Sequence, residues 1–376
     1  MFAGILSCYV VLALALHILT SVLVGVRLFR RTPAYRGDSA DLPFVSQVRP
    51  LCGLEKFSRE TLGSSFTQDY PRFEVLFCVA SDKDPVLPLV RELAETHPDV
   101  NARVLVGEDI IGQNPKLNNM AKGYWAGGGD WVCFTDSNVL MPPDYLRRLA
   151  IEWREGMGVL SSPCHGICVG NFWGAVEAAF LNTHSARLLL ALDSLGLGLS
   201  QGKTLFMPRE VIERGGGIEA LASDMAEDAA VSKMVLAQGL RPRFTRRTFP
   251  QPIGRRRAKD VWGRMLRWSR LRRDAFPQVF AVELLQGAVA ATLAALCLHL
   301  FAGLPGAVPL AIPFLWFGAE TVMARMAGWP AGPREIAAMA VREIMLPAIW
   351  IATWFGRRVV WQGTVIAPRA SKSDTG

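Results

Sequence analysis

The stretch Trp131-Val132-Cys133-Phe134-Thr135-Asp136-Ser137-Asn138 decides the fold. Trp131–Thr135 has the aromatic and branched composition of a buried strand, and the strand ends at a carboxylate. In open α/β sheets ligands bind beyond the carboxyl ends of the strands, so Asp136 marks a candidate site. Working back toward the N-terminus, Phe44–Arg49, Phe73–Ala80 and Ala102–Gly107 read as strands. Ser58–Phe66, Pro85–Thr96 and Lys116–Trp125 read as the helices between them. This alternation predicts a parallel sheet with right-handed crossovers and helices on both faces. Working forward, Thr204–Met207 reads as a strand, Gly215-Gly216-Gly217 as a turn, and Asp224–Gln238 as a helix closed by Gly239. Asn171–Leu192 is apolar but carries Glu177, Asn182, His184 and Arg187, which suits a buried or membrane-facing helix of the catalytic domain.

The chain is too apolar for an ordinary soluble enzyme of 376 residues, at 51% hydrophobic residues. Met1–Val26 has no charged residue and is long enough to span a bilayer. A cleaved signal peptide is the rival, but a basic n-region is missing and the apolar run passes the faint Ala13-Leu14-Ala15 site. Arg27, Arg30, Arg31 and Arg36 follow the run, so residues 27–43 read as a basic linker on the cytoplasmic side. Near the other end, Pro277–Phe301 and Leu304–Ala324 read as spans, with Glu283 and Glu320 turned toward protein or the interface. Ile336–Phe355 carries Arg342-Glu343 in its middle and reads as a re-entrant or interfacial segment. Four full spans would also put Arg357, Arg358 and Arg369 outside, against the positive-inside rule, so the tail 359–376 is expected in the cytoplasm.

The net charge is +8, and Gly254–Arg273 holds nine basic residues against Asp260 alone. Beside apolar runs, such a belt points to lipid headgroups or phosphates rather than nucleic acid. As a helix over 251–276 it places Val261, Met265 and Trp268 on one face and Arg257, Arg264 and Arg267 on another. The seven cysteines are scattered and read as reduced thiols; Cys164-His165-x-x-Cys168 lacks the further ligands of a zinc site.

Three acidic motifs could carry chemistry. Ser81-Asp82-Lys83-Asp84-Pro85 follows a strand; a nucleotide contact is one reading, and a plain Asp cap with Pro at the first helical position is the other. Asp136-Ser137-Asn138 offers hard oxygen ligands for Mg2+ or Mn2+ bridging a substrate diphosphate, against a simple turn. Ala226-Glu227-Asp228 lies on the helix expected from Asp224. Asp224 and Asp228 would then share a face and repel, raising the proton affinity of one, as suits a general base. A solvated acidic face is the alternative. Asn114-Pro115-Lys116-Leu117-Asn118-Asn119 sets a cation and amides at a helix start, suited to phosphate.

The ordered set of motifs, closing on Arg264-x-x-Arg267-Trp268 before membrane spans, resembles the lipid-modifying inverting glycosyltransferases of the GT-A fold, and among them the ceramide glucosyltransferases. The likeness runs from about Val48 through Leu271 and includes Arg49-Pro50-Leu51-Cys52-Gly53, Gln68-Asp69-Tyr70-Pro71, Asn114–Asn119 and Arg342-Glu343. It implies a cytosolic GT-A domain over 44–250 with one N-terminal and two to three C-terminal membrane helices. The composition, 33 Arg against 8 Lys with high Ala and Gly, points to a GC-rich bacterial genome and so to a bacterial inner membrane. The resemblance implies Asp84, rather than Asp82, toward the uridine end of a UDP-sugar, and Asp136 at the metal and diphosphate. It implies Asp228 as catalytic base, Lys116, Arg264, Arg267 and Trp268 on the donor, and His184 and Glu227 at the acceptor wall. The second carboxylate of the usual Asp-x-Asp pair is replaced by Asn138, which weakens the metal site. The implied reaction moves a sugar, glucose foremost, to ceramide. A hopanoid or diacylglycerol acceptor, and UDP-galactose or UDP-glucuronic acid as donor, stay open.

Overall fold

The computed structural model describes residues 1–29, 41–356, 359–361 and 364–366. Most of the expected basic linker, with Arg30, Arg31 and Arg36, falls outside the described residues. So does most of the expected tail, with Arg357, Arg358 and Arg369. In chain order the elements are α1 (Phe2–Phe29), β1 (Val45–Leu51), α2 (Ser58–Gly63), β2 (Phe73–Val79), α3 (Leu87–Thr96), β3 (Ala102–Val106), α4 (Pro115–Ala126), β4 (Trp131–Thr135), α5 (Tyr145–Glu152), β5 (Met157–Ser161) and β6 (Cys164–Val169). Then come α6 (Phe172–Ala179), a π-helical segment (Phe180–Ala186), α7 (Arg187–Ser194), β7 (Thr204–Pro208), α8 (Arg209–Arg214), α9 (Glu227–Ala237), β8 (Arg241–Phe244) and β9 (Phe249–Gly254). The last are α10 (Ala258–Ala275), α11 (Pro277–Val282), α12 (Ala288–Ala302), α13 (Ala307–Ala327), α14 (Pro333–Trp354) and the short antiparallel pair β10 (Val359–Trp361) and β11 (Thr364–Ile366). They form two compact units. One holds Arg31–Cys164, Leu197–Pro252 and Arg358–Gly376; the other holds Met1–Arg30, His165–Gly196 and Ile253–Arg357. Residues 165–196, expected inside a continuous catalytic domain, therefore belong with the apolar helices.

The α/β unit is built on a seven-stranded sheet of order β3-β2-β1-β4-β7-β5-β8. Strands β1 to β4 run parallel, but β7 is antiparallel to both β4 and β5. The sheet is thus mixed, where alternation alone predicted a parallel one. Side chains alternate across it with period two. Val132, Phe134, Leu205 and Met207 pack on one side with Met120 and Tyr124 of α4 and Val231 of α9. Cys133 and Phe206 pack on the other with Tyr145 and Leu149 of α5. Burial of a side chain such as Phe134 contributes roughly 1.5–3 kcal/mol, so the sheet interior holds the exits of its strands in place. The register pairs Thr135 with Thr204. The residue leaving β4, Asp136, therefore faces the residue entering β7, Lys203, and the Asp136 amide donates to the Lys203 carbonyl at 3.1 Å.

Three local expectations shift. The helix expected from Asp224 starts at Glu227, because Asp224 is extended (ψ 154°) and its carboxylate pairs with Lys233 at 2.5 Å. Asp224 and Asp228 accordingly share no helix face. The helix expected from Pro85 starts at Leu87, and Asp84 does not cap it. Asp84 instead closes a tight turn, its carboxylate accepting from the Val86 amide at 2.9 Å.

The second unit carries three helices long and apolar enough to cross a membrane, α1, α13 and α14, among the described residues. They are inside-out relative to the sheet. On α1, Leu12, Leu16, Leu19 and Val22 are exposed while His17 and Ser21 are buried. On α13, Leu310, Phe314 and Val322 are exposed while Glu320 is buried. That pattern suits lipid outside and polar contacts inside. The expected span Pro277–Phe301 is two pieces, with a bend of 47° at the break. Gly287 is extended there (φ −175°), Glu283 pairs with Arg272 at 2.6 Å, and the free Ala288 amide donates to Glu343 at 2.6 Å. Conversely, the segment around Arg342-Glu343, expected to be re-entrant or interfacial, is one continuous helix, α14. Its Arg342 is neutralised internally by Glu320 at 3.0 Å and Glu343 at 2.7 Å.

The basic helix α10 buries Val261, Met265 and Ser269. Its apolar face, with Trp268 at the side, packs on α6 and α14 rather than lying free for headgroups. The helical stretch 172–194 contains the π segment, whose geometry leaves carbonyls for side-chain donors. The Ala179 carbonyl accepts from Arg342 at 3.3 Å and the Thr183 carbonyl from Arg187 at 2.8 Å.

Candidate active site

Where β4, β7, α4 and α9 meet, four of the residues singled out in the sequence come together: Lys116, Asp136, Glu227 and Asp228. Each is placed by local chain logic. Asn114 caps α4, its side chain accepting from the Lys116 amide at 2.9 Å, with Pro115 at the first helical position. Lys116 is thereby fixed at the helix start. Its ammonium lies 2.6 Å from Asp136 and 2.5 Å from Glu227, and donates to the Gly202 carbonyl at 2.9 Å. Glu227 also accepts from the Asn114 side-chain Nδ2 at 2.9 Å. Asp228, one residue on, accepts from the Gly202 amide at 2.9 Å and the Ala229 amide at 2.8 Å. A Cβ on Gly202 would lie 2.5 Å from the Glu227 carboxylate and 3.0 Å from the Lys116 ammonium, so it would displace these two charged ends.

Two residues in this cluster were not foreseen. Lys203, buried, lies 3.0 Å from Asp136 and donates to the Asn138 side-chain oxygen at 2.9 Å. Gly202 supplies both a carbonyl and an amide. The Gln201-Gly202-Lys203 sequence carries no pattern of its own; the antiparallel register of β7 brings it to Asp136.

The electrostatics separate the two aspartates. Burial works against the Asp136 carboxylate, but the Lys116 and Lys203 ammoniums outweigh it and hold the group well below the usual carboxylate range. Asp228 is raised to about 6, by burial first and the neighbouring Glu227 charge second, with Lys116 and the Gly202 amide opposing. The like-charge partner is Glu227, not Asp224.

Asp84 is not part of this ion-paired cluster. Its two oxygens accept from the Gly53 amide at 3.1 and 2.9 Å, at a position whose φ of +72° favours glycine. Arg49 is wholly buried and ties the Asp136 loop down, donating to the Ser137 carbonyl at 3.1 Å and the Thr61 carbonyl at 3.2 Å.

The remaining expected residues lie in the second unit. Arg264 pairs with the buried Glu177 at 3.2 Å, and Arg256 takes the other Glu177 oxygen at 3.1 Å. Burial and the adjacent Arg264 lower the proton affinity of Arg267. Trp268 packs beside these on α10. His184 sits in the π segment against Phe180, and Arg257 is drawn off to Asp260 at 2.9 Å.

Among the described residues no three His, Cys, Asp or Glu side chains gather to hold a metal. The donor set at Asp136 is one carboxylate and the Asn138 amide oxygen, both already accepting from lysine. Such a pair fits a divalent ion that arrives on substrate phosphates, the habit of Mg2+, and does not form a cage by itself.

Comparison with known proteins agrees with the geometry. The Glycosyl transferase family 21 profile matches residues 7–373. Ceramide glucosyltransferase 1 of Caenorhabditis elegans is 31% identical over 250 residues, covering 66% of this chain and 54% of the relative. The chain thus spans about half the length of that relative. Ceramide glucosyltransferase 3 of the same organism is 25% identical over 337 residues, covering 87% of this chain and 73% of the relative. Among solved structures, a mannosyltransferase from Pyrobaculum calidifontis, in complex with GDP-Man and Mn2+, superposes with a TM-score of 0.53 at 18% identity, covering 94% of this chain and 98% of that one. That likeness gives the fold, a mixed α/β sheet of the GT-A type. With a match from residue 7 to residue 373, the chain belongs to glycosyl transferase family 21.

Proposed function

We propose that the chain is an inverting transferase that moves a sugar, glucose foremost, from a UDP-sugar to the primary hydroxyl of ceramide at a membrane surface. The observation that carries this reading is Asp228, raised to about 6 and joined through its neighbour Glu227 and Lys116 to Asp136. A general base works best with proton affinity near the working pH. Asp228 takes the proton from the acceptor hydroxyl as that oxygen attacks the anomeric carbon, on the face opposite the diphosphate. The new C–O bond forms as the bond to the diphosphate breaks, and UDP leaves with the electron pair. One displacement turns an α-linked donor into a β-glycoside. Lys116 meets the charge on the departing diphosphate with charge-assisted hydrogen bonds. Mg2+ or Mn2+, when bound with the nucleotide, adds Lewis-acid help there, with Asp136 and Asn138 as its protein ligands.

The family resemblance supports the other roles. Asp84 acts toward the uridine, Arg264, Arg267 and Trp268 on the donor, and His184 and Glu227 at the acceptor wall. The apolar helices support a lipid acceptor, since they keep the enzyme where that acceptor is concentrated. The arginines that follow the first apolar run support a cytoplasmic catalytic unit, and the Arg-, Ala- and Gly-rich composition supports a bacterial inner membrane.

The test is UDP release by the purified protein in detergent with Mn2+ or Mg2+, using UDP-glucose, UDP-galactose and UDP-glucuronic acid, each with and without ceramide. Ceramide-dependent release with UDP-glucose is expected. Release with another donor renames the sugar. Release that needs diacylglycerol or a hopanoid instead overturns the acceptor, and no release with any pairing overturns the reaction.

A further inference from the structure

We propose that Lys203 is a diphosphate-binding residue whose ammonium takes over part of the charge a divalent ion would otherwise supply, so that the nucleotide binds with little dependence on metal. The inference rests on the donor-site reading above and adds a residue and a binding order to it. The register of β4 and β7 puts Lys203 directly across from Asp136 at the strand ends, so its place is set by the sheet and not by a loose loop. Its ammonium reaches both oxygen donors a metal would want, Asp136 at 3.0 Å and Asn138 at 2.9 Å. Lys116 holds the other Asp136 oxygen at 2.6 Å. A bare dication approaching this pair therefore meets two ammoniums first.

Charge counting points the same way. An acidic pair at positions 136 and 138 would present two negative charges to a dication. Here Asn138 contributes none, and Lys203 cancels that of Asp136. The Asp136–Asn138 pair of the free protein therefore has little to attract Mn2+. A diphosphate, by contrast, can accept from the remaining N–H of Lys203 while that ammonium keeps Asp136 and Asn138, so no carboxylate loses its cation. Asn138 and Lys203 are thus two halves of one exchange: the carboxylate is absent where the lysine is present.

The experiment measures UDP binding to the full-length protein in detergent by calorimetry, in EDTA and in saturating Mn2+. Electron paramagnetic resonance of Mn2+ with the protein alone runs beside it. For the wild type the two UDP affinities should agree within about threefold, and free Mn2+ should stay unbound without UDP. Lys203→Met should weaken UDP binding in EDTA by about tenfold or more, with Mn2+ restoring part of it. The pair Asn138→Asp with Lys203→Met should bind Mn2+ without nucleotide and need it for UDP. A wild type that binds Mn2+ alone, or loses more than about tenfold in UDP affinity in EDTA, overturns the inference and leaves the donor site standing. So does Lys203→Met with unchanged affinity. No UDP binding by the wild type in either condition overturns both.

Discussion

In the α/β unit two lysines face three carboxylates, at Asp136, Glu227 and Asp228. Among the apolar helices one arginine, Arg342, faces two, at Glu320 and Glu343. Arg342 is fully buried and its two terminal nitrogens go to fixed partners: both glutamates, the Thr183 hydroxyl and the Ala179 carbonyl. The side chains of Lys116 and Asp136 keep 15% and 21% exposure, so an incoming anion can compete for the lysine. A guanidinium with a rigid fork suits a permanent joint, and a flexible ammonium suits a partner that must change. The same signs of charge thus form a closed joint in one place and, in the proposed reaction, a reactive site in the other.

The hardest blow to this contrast comes from Arg342→Met. Leaving Glu320 and Glu343 buried without their cation should cost about 3–5 kcal/mol, read as a collapse of thermal stability in detergent. Adding Glu320→Gln and Glu343→Gln should recover most of it. If Arg342→Met melts with the wild type, the joint is not structural. Asp228→Asn tests the other side: turnover should fall by about 10²–10⁴-fold while melting moves far less than in Arg342→Met. Comparable destabilisation in both variants would erase the distinction.

A gentler probe is pH. Asp228 must be ionised to accept a proton, so turnover should be flat above its value of about 6 and fall by about tenfold per unit well below it. A profile that stays flat down to pH 4 would remove Asp228 from the base role. The smallest effect is expected at Arg49, which touches no cluster member but anchors the Ser137 carbonyl. Arg49→Lys cannot reach all its acceptors and should weaken UDP binding by about three- to tenfold, measured by calorimetry, with kcat little changed.

The strands and the exposed ends of the sheet were legible because their signals are local. Trp131–Thr135 is a buried run and Asp136 ends it, so one short window holds both facts. Lys203 was not legible. Its partner is 67 positions away, and only the antiparallel turn of β7, which breaks the expected parallel pattern, makes them neighbours. The start of α9 was misread because acidic residues suit a helix's first turn whether or not the backbone has begun to wind; Asp224 spends its charge on Lys233 instead. The continuity of two membrane segments differs from the expectation in opposite directions for one reason. Apolar composition made Pro277–Phe301 look continuous, although Gly287 and the Glu343 carboxylate break and bridge it. The charges of Arg342-Glu343 made α14 look interrupted, although Glu320 on another helix neutralises them. Pairing between distant segments is invisible to a window of sequence.

The π segment Phe180–Ala186 holds one residue in reserve. Such a segment carries one residue more than a regular α-helix needs over the same rise. Deleting one residue there would let the stretch rewind as α-helix and leave everything beyond it close to its present phase. Arg187 would still face the Thr20 hydroxyl, and Asp193 would still face Arg27, now 2.7 Å away. A deletion in α7 between Arg187 and Asp193 has no such reserve and would turn Asp193 by about 100° away from Arg27. Loss of one residue should therefore be tolerated inside the π segment far better than in the regular helix that follows it.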